Sequence, residues 1–222
     1  MKIGIDFDNT IANHNHSFRE YARLESITLL DKETPKKSVR KVLLQRQGGN
    51  LDWTRLQGEI YGAKMSSAKP YKGFVAFLND CLSQTWQIVI ISHRTIFPTI
   101  GKTTDLHSVA VEWLKHHRII SGQTLAPSQC FYETSLEDKI FRIRREGCDV
   151  FIDDLPSVLQ HESFPSFTSP ILFGRPHESL CHALDWSHAL TQIKSANKRN
   201  WNAKIRSEEK REETLPTEEH SH

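Results

Sequence analysis

The feature that most restricts how this chain can fold is the stretch KIGIDFDNTIA, residues 2–12, in which an apolar run ends in two aspartates two positions apart, Asp6 and Asp8, followed by Asn9 and Thr10. An apolar run without strict alternation is expected of a strand buried on both faces, as in a parallel sheet covered by helices. Two like charges at the end of such a strand repel and resist desolvation. They are tolerable only beside a cation, a shared proton or a bound substrate.

Further stretches of strand character follow: WQIVIIS at 86–92, CDVFIDD at 148–154, the weaker SPILFG at 169–174 and the short QCFYE at 129–133. Between them lie helical patterns, LHSVAVEWLKHHRI at 106–119 and SLEDKIFRIRREG at 135–147. The second opens on a capping-box-like Ser135 and Asp138 and closes on Gly147, a plausible C-cap. Strands alternating with helices predict an α/β fold with right-handed crossovers. The interval 13–85 breaks this rhythm: it is polar and reads as mostly helical (SFREYARLESITLL, KKSVRKVLLQR, DWTRLQGEIYG), with a break at GGN, 48–50. About 70 residues are too many for a plain crossover, so a small helical cap is expected between the first and second core strands. The expected division is a core of 1–12 and 86–194, a cap of 13–85, and a charged tail of 195–222 that reads as disordered.

Composition excludes several classes. The 222 residues carry a formal charge of only +2, so no whole-surface attraction to nucleic acid or membrane follows. The four cysteines, Cys81, Cys130, Cys148 and Cys181, are widely spaced and form no C-x-x-C pair, which argues for reduced thiols over a disulfide framework or a zinc knuckle. No apolar run approaches the ~20 residues that span a bilayer, nor is there an apolar leader core. A soluble cytoplasmic protein is the expectation.

In open α/β sheets ligands sit at the carboxyl ends of the strands. That edge should collect Asp6 and Asp8, then Ser92, His93 and Arg94, then Asp153 and Asp154, with Lys139 near the start of the helix before the last pair. The ordered set DFDNT, IIS, a helix-initial lysine and FIDD resembles the haloacid dehalogenase superfamily of phosphohydrolases, over roughly residues 2–12 and 86–175. The resemblance implies a Rossmann-like core in which Asp6 is the nucleophile, forming an aspartyl-phosphate, and Asp8 the general acid and base. It further implies that Ser92 holds the transferring phosphoryl oxygens, Lys139 neutralises nucleophile and phosphate, and Asp153 binds Mg²⁺, with Asp154 either a direct ligand or its orienting neighbour. Asp6 and Asp8 complete the expected metal environment.

The chemistry suits these residue types. A carboxylate can attack phosphorus and so divide one hard displacement into two. Magnesium takes oxygen ligands, usually one or two carboxylates with water and substrate phosphate. An acid at position 8 that exchanges protons with the leaving group needs a raised pKa. Thr10, His93 and Arg94 are the expected substrate contacts, the last two because a long loop, SHRTIFPTIGKTTDLH, follows the second strand.

Two other features read more plainly. The histidines of NHNH, 13–16, are expected on an exposed flap, and DKETPKKSVRKVLLQR, with six Lys/Arg against two acids, reads as a solvated helix face. The expected function is a Mg²⁺-dependent phosphatase for a small phosphorylated metabolite, a sugar phosphate or nucleotide. The alternatives are a polynucleotide end phosphatase, for which the basic segment speaks, and a non-catalytic phospho-receiver or binding module. Nucleic acid and membrane are not the expected partners, and the oligomeric state is open.

Overall fold

The computed structural model describes residues 1–31 and 33–195. The tail expected at 195–222 lies, apart from its first residue, outside the described residues. The elements in chain order are β1 (Lys2–Ile5), β2 (Ala12–Asn13), α1 (Asn15–Leu24), α2 (Pro35–Leu44), α3 (Gly49–Tyr61), β3 (Lys69–Pro70), α4 (Phe74–Ser83), β4 (Gln87–His93), α5 (Leu106–His116), β5 (Cys130–Glu133), α6 (Leu136–Glu146), β6 (Val150–Asp153), α7 (Pro156–Leu159), β7 (Ser169–Phe173) and β8 (His182–Ala183). A further helical segment covers 186–195.

Six strands form one parallel sheet in the order β5-β4-β1-β6-β7-β8. The chain builds outward from β1 to β5 on one side, then returns across to β6 on the other. The order therefore reverses at β1 and β6, the kind of point where α/β sheets place their ligands.

Both faces of the sheet are covered, which explains why its strands read as unbroken apolar runs. Ile88 and Ile90 of β4, with Val150 and Ile152 of β6, pack with Phe74, Phe77, Trp113, Leu114 and Trp186 on one face. Val89, Ile91, Phe151 and Leu172 point the other way, onto Ile140 and Ile143 of α6 and Val158 and Leu159 of α7. Alternate side chains of one strand thus serve two clusters, as the period of two requires. Each fully buried Ile or Phe contributes on the order of 1.5–3 kcal/mol. Gly4 is where the central strand needs no side chain, because a Cβ there would stand 2.6 Å from the Phe151 ring.

The three helices α1 to α3 have a cluster of their own, built on Phe18, Val39, Leu43, Trp53, Leu56 and Ile60. Their stem is the two-residue antiparallel pair of β2 and β3, Ala12 opposite Pro70 and Asn13 opposite Lys69. The span 13–85 also contains α4, whose Phe74, Phe77, Leu78 and Cys81, spaced i, i+3, i+4, i+7, belong to the main cluster rather than to that of α1 to α3. No helix among the described residues is long and apolar enough to cross a membrane.

Candidate active site

Asp6 follows β1 directly, its N–H still bonded to the Ile152 carbonyl of β6 at 2.9 Å. The chain then turns sharply. The Phe7 carbonyl accepts from both Ile11 and Ala12, and Asn9 sits in the left-handed region at φ 64°. That conformation is one asparagine tolerates better than most side chains. The turn holds Asp6, Asp8 and Thr10 together at the sheet's carboxyl edge.

Lys139 comes from α6, where Ser135 caps the helix by accepting from the Asp138 N–H at 3.0 Å and Gly147 ends it at φ 63°. Leu136, Lys139, Ile140 and Ile143 share one face, so the lysine lies on the stripe that packs against the sheet. It is 2 % exposed. Its Nζ donates to Asp6 Oδ1 at 2.7 Å and to Asp153 Oδ2 at 2.6 Å. The remaining oxygens are also engaged: Thr10 Oγ1 donates to Asp6 Oδ2 at 3.1 Å, and the Leu155 N–H to Asp153 Oδ1 at 2.8 Å.

Asp6, Asp153 and Asp154 bring carboxylate oxygens within 4.8 Å of one another. Three carboxylates against one lysine leave negative charge in excess, and burial and mutual repulsion act on each group differently. Burial disfavours the Lys139 ammonium, but Asp153 and Asp6 outweigh it and hold the lysine charged. Asp153 is nevertheless raised, by burial and by Asp6 and Asp154. Asp154 is raised to about 6, by burial and by Asp6, against the pull of Lys36. A hard divalent cation would relieve this arrangement, and an all-oxygen donor set of this kind fits Mg²⁺.

A stability prediction follows with its sign. Carboxyls whose folded pKa lies above the ordinary value bind protons more tightly in the folded state, so without divalent cations stability is greatest in mild acid and falls as pH rises through about 4 to 8. Mg²⁺ should therefore raise the melting temperature more at about pH 8 than at about pH 5, because it binds only the ionised ligands. Thermal unfolding in EDTA and in Mg²⁺ at the two pH values checks this, and an equal shift at both, or none, contradicts it.

Asp8 differs from its expected environment. It lies outside the three-carboxylate cluster, and its pKa is lowered rather than raised. Burial opposes its ionisation, but the Arg94 guanidinium and the hydrogen bond from His14 overcome this and bring the carboxyl to about 2. Arg94 grips it with two donors, Nε to Oδ2 at 3.2 Å and Nη2 to Oδ1 at 3.0 Å, and His14 Nε2 lies 2.9 Å from Oδ1. Burial lowers the His14 pKa, so the imidazole is neutral and Nε2 is the donor.

Arg94, expected as a substrate contact, also directs donors to the protein itself. Buried to 4 % exposure, it donates in addition to the carbonyls of Leu106 at 3.0 Å and Tyr61 at 3.2 Å. It thereby ties the end of α3 to the start of α5 across Asp8. His14, expected on an exposed flap, is fully buried, while His16 is exposed.

A cavity of about 460 Å³ opens above these groups, lined by Asp6, Asp8, Ser92, His93, Arg94, Lys139 and Asp154. Thr10 and Asp153 stand behind it, both fully buried. Ser92, the last residue but one of β4, is 1 % exposed, and its Oγ has no partner among the described residues, a hydroxyl free to meet an oxygen of a ligand. Opposite, the cavity is roofed from α2 and α3 by Lys36, Thr54, Gln57 and Tyr61, none of them singled out by the sequence. Helix α3 comes close to the loop after β4 because position 58 is glycine: a Cβ there would lie 2.8 Å from Pro98. A signal for Lys36 exists in retrospect, since it sits in the first turn of a helix whose N-cap, Thr34, and N1 proline can be read from the sequence.

The structure resembles solved structures of one fold. It aligns with a HAD-hydrolase from Bacillus subtilis in a magnesium-bound crystal form, at TM-score 0.52 and 10 % identity over 86 % of this chain and 97 % of that one. It aligns with a phosphoserine phosphohydrolase-like protein from Francisella tularensis at 0.50 and 12 %, over 87 % and 100 %. A haloacid dehalogenase-like family hydrolase from Xanthomonas campestris gives 0.50 and 9 %, over 90 % and 96 %. No family profile and no curated protein sequence matches the chain. At these identities the likeness concerns the fold: the chain has the α/β fold of the haloacid dehalogenase-like hydrolases.

Proposed function

We propose that the protein is a Mg²⁺-dependent phosphohydrolase that acts on a small phosphorylated metabolite through an aspartyl-phosphate at Asp6. The observation that carries this is Lys139 bonded to Asp6 and Asp153 at once, at the ends of the two strands that flank the sheet's reversal. A lysine shared in this way sets a cation directly against the Asp6 carboxylate, the partner that an anionic nucleophile in a buried site calls for. Asp6, Asp153 and Asp154 are the residues that would hold the metal. Bound there, Mg²⁺ supplies positive charge for the phosphoryl oxygens.

In the first half of the reaction, an Asp6 oxygen forms a bond to phosphorus and the ester P–O bond breaks, releasing the alcohol. In the second, water attacks phosphorus, the Asp6–phosphate bond breaks, and inorganic phosphate leaves. Lys139 and the unpartnered Ser92 hydroxyl stabilise charge on the transferring group. Asp8 is the carboxylate that would accept the proton of that water, although Arg94 and His14, by stabilising its anion, make it a weak base until negative charge arrives nearby. For the first half it must carry a proton to the leaving oxygen, and an incoming phosphate shifts its affinity in that direction by adding negative charge nearby. The inserted helices act as the cap: α2 and α3 roof the cavity, whose volume suits a small metabolite.

The test is release of phosphate from p-nitrophenyl phosphate in Mg²⁺ and in EDTA. Turnover that requires the metal is expected. Turnover undiminished by EDTA would contradict the proposal.

A further inference from the structure

A second cavity, of about 420 Å³, lies beside the first and shares Lys36, Asp154 and Leu155 with it. Its charge is one-sided. Lys36, Lys37 and Arg40 reach it from the first two turns of α2, and Arg175 from beyond β7, against the single carboxylate of Asp154. Among the described residues Lys36, Arg40 and Arg175 have no carboxylate within ion-pair distance, and only Lys37 has one, Glu33 at 3.4 Å. Arg40 lies 6.0 Å from the centre of the Trp53 ring, and Arg175 donates to the Asp154 carbonyl at 3.4 Å. The basic run read from the sequence as a solvated face therefore turns several of its cations toward one hollow.

Asn9 supplies an independent observation. It also lines this cavity, is 8 % exposed, and its Nδ2 has no partner among the described residues. A buried amide donor left unmet is costly unless a ligand oxygen meets it. The lining also includes the rings of Tyr71 and Phe173, packed edge to face with centres 5.3 Å apart.

We propose that this second cavity is an anion subsite, so that the substrate is a phosphomonoester carrying a second anionic group, a phosphate or a carboxylate, joined to the first by a body that passes Lys36. The inference rests on the phosphohydrolase reading. One phosphate enters the Asp6 cavity, the body lies along Tyr71 and Phe173, and the second anion meets the α2 cations, Arg175 and the Asn9 amide. A charge-assisted contact of this kind discriminates by about tenfold or more.

The probes are α,ω-alkanediol bisphosphates of increasing length, the matching monophosphates, and a 5′-phosphorylated thymidine dinucleotide. The readout is the ratio of kcat/KM for each bisphosphate to that of its monophosphate. A ratio of about tenfold or more for at least one length is expected, falling toward unity in the double variant Lys37→Gln, Arg40→Gln and in Asn9→Gly. Asn9→Gly suits the left-handed backbone and removes the amide side chain that carries the donor. A dinucleotide that outranks every bisphosphate would keep the subsite and assign its anion to a phosphodiester. No preference at any length, or a preference the variants leave unchanged, overturns the proposal. If no ester turns over, calorimetric binding of the same bisphosphates to Asp6→Asn, with and without the α2 substitutions, tests the subsite separately from the chemistry: tighter binding than the monophosphate, lost with the α2 cations, supports it, and equal binding overturns it.

Discussion

Lys139→Met is expected to lower kcat by about 10³-fold and, in EDTA, to lower stability by about 3–5 kcal/mol. Both effects follow from one geometry. Among the described residues the Nζ is the one cation that Asp6 and Asp153 contact directly, at 2.7 and 2.6 Å, and all three side chains are buried. Methionine fills much of the same volume, so the fold loses charge compensation rather than packing. It leaves two carboxylates facing each other with Asp154 nearby. Mg²⁺ should restore part of the stability, because it answers the same excess of negative charge. It should not restore turnover, because the cation that the proposed reaction sets against the transferring phosphoryl from the α6 side is gone. Denaturant unfolding with and without Mg²⁺, set beside phosphate release, separates the two. A variant within about tenfold of wild-type kcat would remove Lys139 from the chemistry.

What was legible in the sequence, and what was not, divides along physical lines. The strands of the parallel sheet are visible because burial on both faces forces Ile and Val at successive positions, as in β4 and β6. Helix α6 is visible because its cap, its apolar stripe and its closing glycine agree. By contrast β8 has two residues, His182 and Ala183, and no pattern can mark so short a strand. The segment 186–195 carries Trp186, Ala189 and Ile193 at helical spacing, a signal present in the chain and absent from the sequence reading.

The same division holds within the site. The order of DFDNT, IIS, Lys139 and FIDD in the chain points to residues that the fold brings to one sheet edge. Local sequence carries nothing about what stands opposite Asp8. Arg94 is 86 residues away, and only the fold shows that its guanidinium lowers the carboxyl's pKa where a raised one was expected. His14 is similar: in a polar stretch it looks exposed, yet contact with Asp8 and the Tyr61 ring, 4.9 Å away, buries it. Lys36 too is decided by tertiary structure, since which face of α2 meets the core depends on how α1 to α3 pack together.

The most direct measurement is phosphate release from p-nitrophenyl phosphate in Mg²⁺ by wild type and Asp6→Asn. Asparagine keeps the shape of the side chain and can still accept from Lys139 through its one oxygen, its amide NH2 then facing the Thr10 hydroxyl, but it is no longer the anionic nucleophile. It also removes one charge from a cluster with too many, so the variant should fold at least as stably as wild type in EDTA. Loss of folding would not then explain a loss of turnover. The expected result is metal-dependent phosphate release by wild type and a fall of about 10⁴-fold or more in the variant. Release by Asp6→Asn at a rate near that of wild type would contradict covalent catalysis at Asp6.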